Sequence, residues 1–165
     1  DLVIAVEVGM VLAAILFIRR IAETTEVARV TSDDELETHE QVAQGKDIPE
    51  GVVVYRIFGA FLFGAAEKME DALEREGGLP RVLILRMQLV PAMDSTALNA
   101  LESICERMQK AGGVLILSGP HRQPLQMMAK AGFIEKIGRG NIRAHFDDAL
   151  ARARVALASP AAGKT

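Results

Sequence analysis

At 165 residues the chain suits one modest domain with an appendage, and a two-domain enzyme would be cramped. Half of the residues are hydrophobic and a quarter are charged, which supplies a core and excludes disorder in bulk. A net charge of -3 gives little electrostatic reason to expect a nucleic-acid partner, and a single cysteine, Cys105, excludes an internal disulfide.

The chain begins at Asp1 rather than a methionine, so upstream sequence is expected. Leu2 to Ile18 reads LVIAVEVGMVLAAILFI, seventeen residues with one charge, Glu7, and is closed by Arg19 and Arg20. A membrane span needs about 20 apolar residues, with a lower limit near 17, so this run reads as a short span or the end of one. The alternative is a buried core helix. A cleaved signal peptide would carry its positive charges before the apolar run rather than after it. By the positive-inside rule, Arg19, Arg20 and Arg29 place the rest of the chain in the cytoplasm. Glu7 is costly in hydrocarbon and is expected to face protein or a polar cavity. Residues 21–50 turn polar and acid-rich, are broken by Gly45 and Pro49, and read as a linker; Ser32 and Glu35 have the spacing of a helix-capping pair.

From Gly51 the pattern becomes regular. Val52–Phe58, Val82–Met87 and Val114–Ser118 are short β-branched or apolar runs, the last two suited to strands buried on both faces. Between them, Ala65, Ala66, Met69 and Leu73 mark one amphipathic helix, and Leu98, Leu101, Ile104, Cys105 and Met108 mark another that stops at Gly112-Gly113. A third helix runs through Leu125, Met128 and Ala129 to Gly132. Phe133–Ile137 and Ile142–His145 read as weaker strands or connecting loop. A final helix carries Phe146, Ala149, Leu150, Ala153 and Leu157, and 159–165 reads as a flexible tail. The alternation predicts an α/β fold with a mostly parallel sheet flanked by about four helices and preceded by a hydrophobic helix.

Chemistry is sparse. Gly59 and Gly64 have phosphate-loop spacing, but Ala65 and Ala66 stand where Lys and Ser/Thr should follow, so the pair reads as a strand-to-helix turn whose free amides could still hold an anion. His39, His121 and His145 lack metal-ligand spacing and are expected in surface or capping roles, and no metal or cofactor is expected. The acidic residues around Met69 read as a solvated helix face. Cys105 falls among apolar residues and reads as a buried structural thiol. The informative string is Asp94-Ser95-Thr96, after a buried strand and at a helix start. It either caps the helix or presents a hydroxyl that a partner or a phosphate could address.

The runs VVVYRIFGAFLFGAAEKMEDAL, RVLILRMQLVPAMDSTALNALESI and GGVLILSGPHRQPLQMMAKAGF resemble the STAS domain that follows the membrane part of SulP anion permeases, and the apolar start resembles the last membrane helix of that family. The resemblance implies residues 1–20 as the end of a membrane helix, 51–158 as a cytoplasmic STAS domain, and attachment to a secondary transporter of sulfate, bicarbonate, chloride or dicarboxylates. It implies regulation or interaction rather than catalysis. The implied partners are the membrane part of the same transporter, a cytoplasmic regulatory protein, or a second copy of the domain. Asp94-Ser95 matches the Asp-Ser pair of anti-sigma-factor antagonists, whose serine is phosphorylated, so a membrane-tethered phospho-switch is the alternative. Thr96 and Ala97 depart from the antagonists' small residue and glycine.

Overall fold

The computed structural model describes residues 2–23, 26–30, 48–61, 69, 71, 73 and 78–159. Helix α1 (Leu2–Glu23) comes first, then β1 (Glu26–Val30), β2 (Val52–Phe58), β3 (Val82–Leu89), α2 (Ser95–Lys110), β4 (Val114–Ser118), α3 (Arg122–Lys130) and α4 (Phe133–Ile137). A single 3₁₀ turn at Arg139–Asn141 leads to β5 (Ile142–Arg143), and α5 (Phe146–Ala158) closes the fold.

The five strands lie in chain order, β1-β2-β3-β4-β5. From β2 to β5 every pairing is parallel, whereas β1 adds antiparallel to the outer edge of β2, Glu26 opposite Phe58 and Val30 opposite Val54. Right-handed crossovers between successive parallel neighbours put all the connecting helices on one face. That face holds the larger core: Met69 and Leu73 from a helical stretch, Leu101, Ile104 and Met108 from α2, Met128 from α3, and Phe133 and Ile137 from α4. Only α5, which follows the last strand, can return to the other face, where Phe146, Ala149, Leu150 and Ala153 cover Val54, Ile84 and Ile116. The strands β3 and β4 are thus covered on both sides, which is why they read as continuous apolar runs.

The α/β class, the parallel sheet and α2, α3 and α5 follow the sequence expectation. Three local readings differ. Residues 26–30, expected within a polar linker, form the edge strand β1, because pairing with β2 supplies the backbone bonds that EVARV cannot make alone. Phe133–Ile137, expected as strand or loop, is a short helix: Phe133 and Ile137 are both buried one helical turn apart, and Gly132 and Gly138, both at positive φ, bracket it. Of Ile142–His145 only Ile142 and Arg143 pair as strand, and His145 sits before α5. The described side chains of α1, from Leu2 to Phe17, are exposed, and Glu7 stands among them. Among the described residues no helix is long and apolar enough to cross a membrane. His39 and the 160–165 tail lie outside the described residues.

Candidate functional site

After β2 and β3 the two chains keep running side by side. Gly59, at φ +84°, donates its N–H to the Leu89 carbonyl, Phe61 donates to Ala92, and Phe61 and Met93 form a parallel bridge. Asp94 in turn donates its backbone N–H to the Phe61 carbonyl at 3.3 Å. This places the turn at Gly59 beside the start of α2, while Gly64 lies outside the described residues.

Asp94 is the cap of α2. Its backbone is extended, and its Oδ1 accepts the Ala97 N–H at 2.8 Å, satisfying one amide that the first helical turn leaves open. Ser95 is therefore released from capping. It is the first helical residue and is exposed, with Thr96 half-buried behind it. The sequence left cap and presented hydroxyl as alternatives for this string; Asp94 takes the first role and Ser95 has the exposure the second requires.

Ser95 stands on the rim of an open groove of about 480 Å³ between α2 and α3. Leu98 and Met127 give it an apolar floor, and Gln126 and Lys130 give it polar and cationic walls. Gln123 joins its two sides: Met93 N–H donates to Gln123 Oε1 at 2.9 Å, and Gln123 Nε2 donates to the Met93 carbonyl at 3.0 Å. The residue before the cap is held at both of its backbone groups by the first turn of α3. Sequence reading missed Gln123 and the α3 wall; the only local signal is a glutamine inside the first turn of an amphipathic helix.

The remaining candidates lie elsewhere. His121 precedes α3 without capping it, and its Nε2 lies 2.6 Å from the Gln88 carbonyl, so that nitrogen carries the proton and donates. His145 likewise makes no side-chain cap. Cys105 lies on the buried face of α2, and burial pushes its thiol up from the ordinary value, so it is a poor nucleophile. Among the described residues no cluster of His, Cys, Asp and Glu is placed to hold a metal.

Residues 45–149 match the STAS domain family. The chain is 34% identical over 149 residues to YvdB of Bacillus subtilis, named as a sulfate transporter, which covers 90% of this chain and 27% of that protein. It spans about a quarter of the length of the first transporters it matches. A crystal structure of a sulfate transporter family protein from Wolinella succinogenes is 36% identical, with a TM-score of 0.66 over 72% of this chain and 97% of that one. The SulP transporter STAS domain from Vibrio cholerae is 32% identical, with a TM-score of 0.59 over 69% of this chain and 89% of that one. The anti-sigma-factor antagonist SpoIIAA in its phosphorylated form, at 19% identity, 66% and 96% coverage and a TM-score of 0.53, shares the fold alone. A parallel sheet with a capped helix start at Asp94, matched over most of its length by transporter-derived domains, leads to one assignment: the chain belongs to the STAS domain family.

Proposed function

We propose that the chain is the cytoplasmic regulatory and interaction domain of a SulP-type secondary anion transporter. Residues 1–20 form the end of its last membrane helix, 51–158 the STAS domain and 159–165 a tail. The domain is not an enzyme; the transported anion, of the sulfate, bicarbonate, chloride or dicarboxylate class, is bound in the membrane part. Asp94, Ser95, Thr96 and the groove beside them form the contact surface, addressed by the membrane part, by a cytoplasmic protein or by a second copy.

The supporting observation is the reach of the likeness to YvdB. An alignment of 149 residues within 165 begins at or before position 17, so it takes in the last turns of α1 as well as the domain. An antagonist has no reason to share the end of that helix. The exposed hydroxyl of Ser95 favours a second reading, a membrane-tethered phospho-switch, because a phosphate at the first position of α2 would meet a helix N-terminus.

The test is uptake of labelled sulfate and bicarbonate by proteoliposomes holding the product of the complete reading frame, with and without residues 51–158. Uptake that responds to loss of the domain supports the first reading. A reading frame with no membrane part upstream of α1, together with kinase-dependent labelling of Ser95, would replace it with the second.

A further inference from the structure

The strands β2, β3 and β4 alternate cleanly between faces. On the α5 side they present Val52, Val54 and Arg56, then Val82, Ile84 and Arg86, then Val114, Ile116 and Ser118. Two apolar residues are followed each time by a polar one, and the register aligns these polar positions into a single row, Arg56 beside Arg86, Arg86 beside Ser118, Ser118 beside Arg143 of β5. With parallel strands about 4.8 Å apart, three guanidinium-bearing positions and a hydroxyl fall within about 15 Å.

The centre of this row is buried and incompletely satisfied, with Arg56 and Arg143 half-buried at its ends. Arg86 is 7% exposed and Ser118 0%. Arg86 Nη1, Ser118 Oγ and Arg143 Nε are buried without a hydrogen-bond partner among the described residues. Arg86 Nε donates to Gln88 Oε1 at 3.2 Å, and its guanidinium lies 4.4 Å over the Phe146 ring; Arg56 lies 5.5 Å over Phe58. The ion pairs of Lys136 and Arg139 do not involve Arg56, Arg86 or Arg143. Burial, and then the charge of Arg56, lower Arg86 to about 10, which leaves it protonated at neutral pH. A buried cation with an unsatisfied N–H is costly in a protein interior, and a core position offers easy apolar replacements.

Two further features point outward from the fold. The β2–β3 register slips between Arg56 and Phe58, a bulge of the kind that re-aims side chains beside sites. The row also lies at the carboxyl ends of the parallel strands, where open α/β sheets hold their ligands. We propose that Arg56, Arg86, Ser118 and Arg143 form a binding site for a small tetrahedral oxyanion of the sulfate or phosphate type, on the sheet face opposite the Ser95 groove. The guanidinium fork matches two oxygens of such an anion, the Ser118 hydroxyl can donate to a third, and the anion brings negative charge to a buried cation. Burial of Arg86 and Ser118 favours a small inorganic ion over a bulky ester. The site belongs to this chain alone and does not depend on its being part of a transporter.

The test uses the full chain in non-ionic detergent, titrated with sodium sulfate, sodium phosphate or sodium chloride at matched ionic strength while the arginine Nε–H resonances are followed. Saturable shifts of the Arg86 and Arg143 signals with sulfate or phosphate, absent with chloride, are expected. Arg86→Met should weaken that binding about ten-fold or more, as expected on losing a charge-assisted hydrogen bond, and Ser118→Ala should weaken it less. Ser118→Ala removes only a hydroxyl without a partner, so it keeps the test open if Arg86→Met does not fold. Equal response to chloride, no saturation with either oxyanion, or unchanged sulfate binding by folded Arg86→Met or by both Ser118→Ala and Arg143→Met overturns the site.

Discussion

Gln123 grips Met93 by both its backbone N–H and its carbonyl, across a sequence separation of 30 residues. Met93 is 2% exposed, so in the folded domain its backbone groups depend on that grip. Gln123→Ala should therefore destabilise the domain by about 1–3 kcal/mol, the cost of leaving buried backbone groups unmade. It should also speed amide exchange at Met93 to Ala97 more than in β4. Urea unfolding and hydrogen exchange check both; uniform exchange across the domain would show that the clamp does not hold the helix start.

Asp94 and Ser95 should separate cleanly on mutation. Asp94→Ala removes the cap and should cost about 1 kcal/mol. Ser95→Asp places a carboxylate at the first helical position, where the dipole contributes about 0.3–1 kcal/mol and the neighbouring Asp94 offsets part of it. Thermal melting should leave Ser95→Ala and Ser95→Asp close to wild type. A large loss for Ser95→Asp would mean that the hydroxyl is not free at the surface.

The paired glycines after α2 serve different ends. Gly112 adopts φ +74°, where an alanine costs about 1 kcal/mol. A Cβ on Gly113 would stand 3.0 Å from the Pro80 carbonyl oxygen, 3.1 Å from that of Arg81 and 2.9 Å from the end of Met108. Backbone oxygens cannot step aside as a methionine tip can. Gly113→Val should cost about 1–3 kcal/mol or more from overpacking and exceed Gly112→Ala in chemical denaturation.

Removing residues 1–47 deletes β1 and leaves the edge of β2 without its antiparallel neighbour. Both apolar clusters lie after residue 47, so the shortened domain should still fold. An open edge invites pairing with another copy. Light scattering should show self-association that is concentration-dependent and weaker in a chain cut at residue 24, which keeps β1. A strictly monomeric shortened domain would mean that this edge is protected in another way.

Lys136 of α4 reaches Glu106 at 2.6 Å and Glu102 at 3.8 Å on α2. The hydrogen bond to Lys136 holds the Glu106 carboxyl below its ordinary 4.5, and the same bond raises Lys136 above its ordinary 10.5. The contribution of Glu106 is therefore present above 4.5 and fades as pH falls through its lowered folded value. That of Lys136 is present below 10.5 and fades as pH rises through its raised one. Both groups are exposed, so salt should weaken the pair. Glu106→Gln should flatten the acid limb of the stability curve at low ionic strength and change little at high.

The parts legible in the sequence are those fixed by local periodicity. The apolar runs of β3 and β4 announced strands covered on both faces, and the stripe from Leu98 to Met108 announced α2 with its glycine stop. FIEKI misled because five residues with apolar positions at both ends and beside one of them fit either period, and only the flanking positive-φ glycines resolve it. β1 was hidden because its pairing partner, not its composition, makes it a strand. The candidate site was half legible: Asp94 and Ser95 stood out as a helix start, whereas Gln123 gains its meaning from a residue thirty positions away. Arg56 and Arg86 fall inside two of the expected strands but were not singled out, because the row they form needs the register of four strands at once.

Two residues separate the end of α1 from the start of β1. Three Cα–Cα steps reach at most about 10 Å, so β1 must start close to the end of α1. Whatever holds α1 therefore also bounds how far the sheet edge can stand from it, because β1 is paired along its length with β2. The strand that carries Arg56 is therefore only one pairing away from the strand tied to α1.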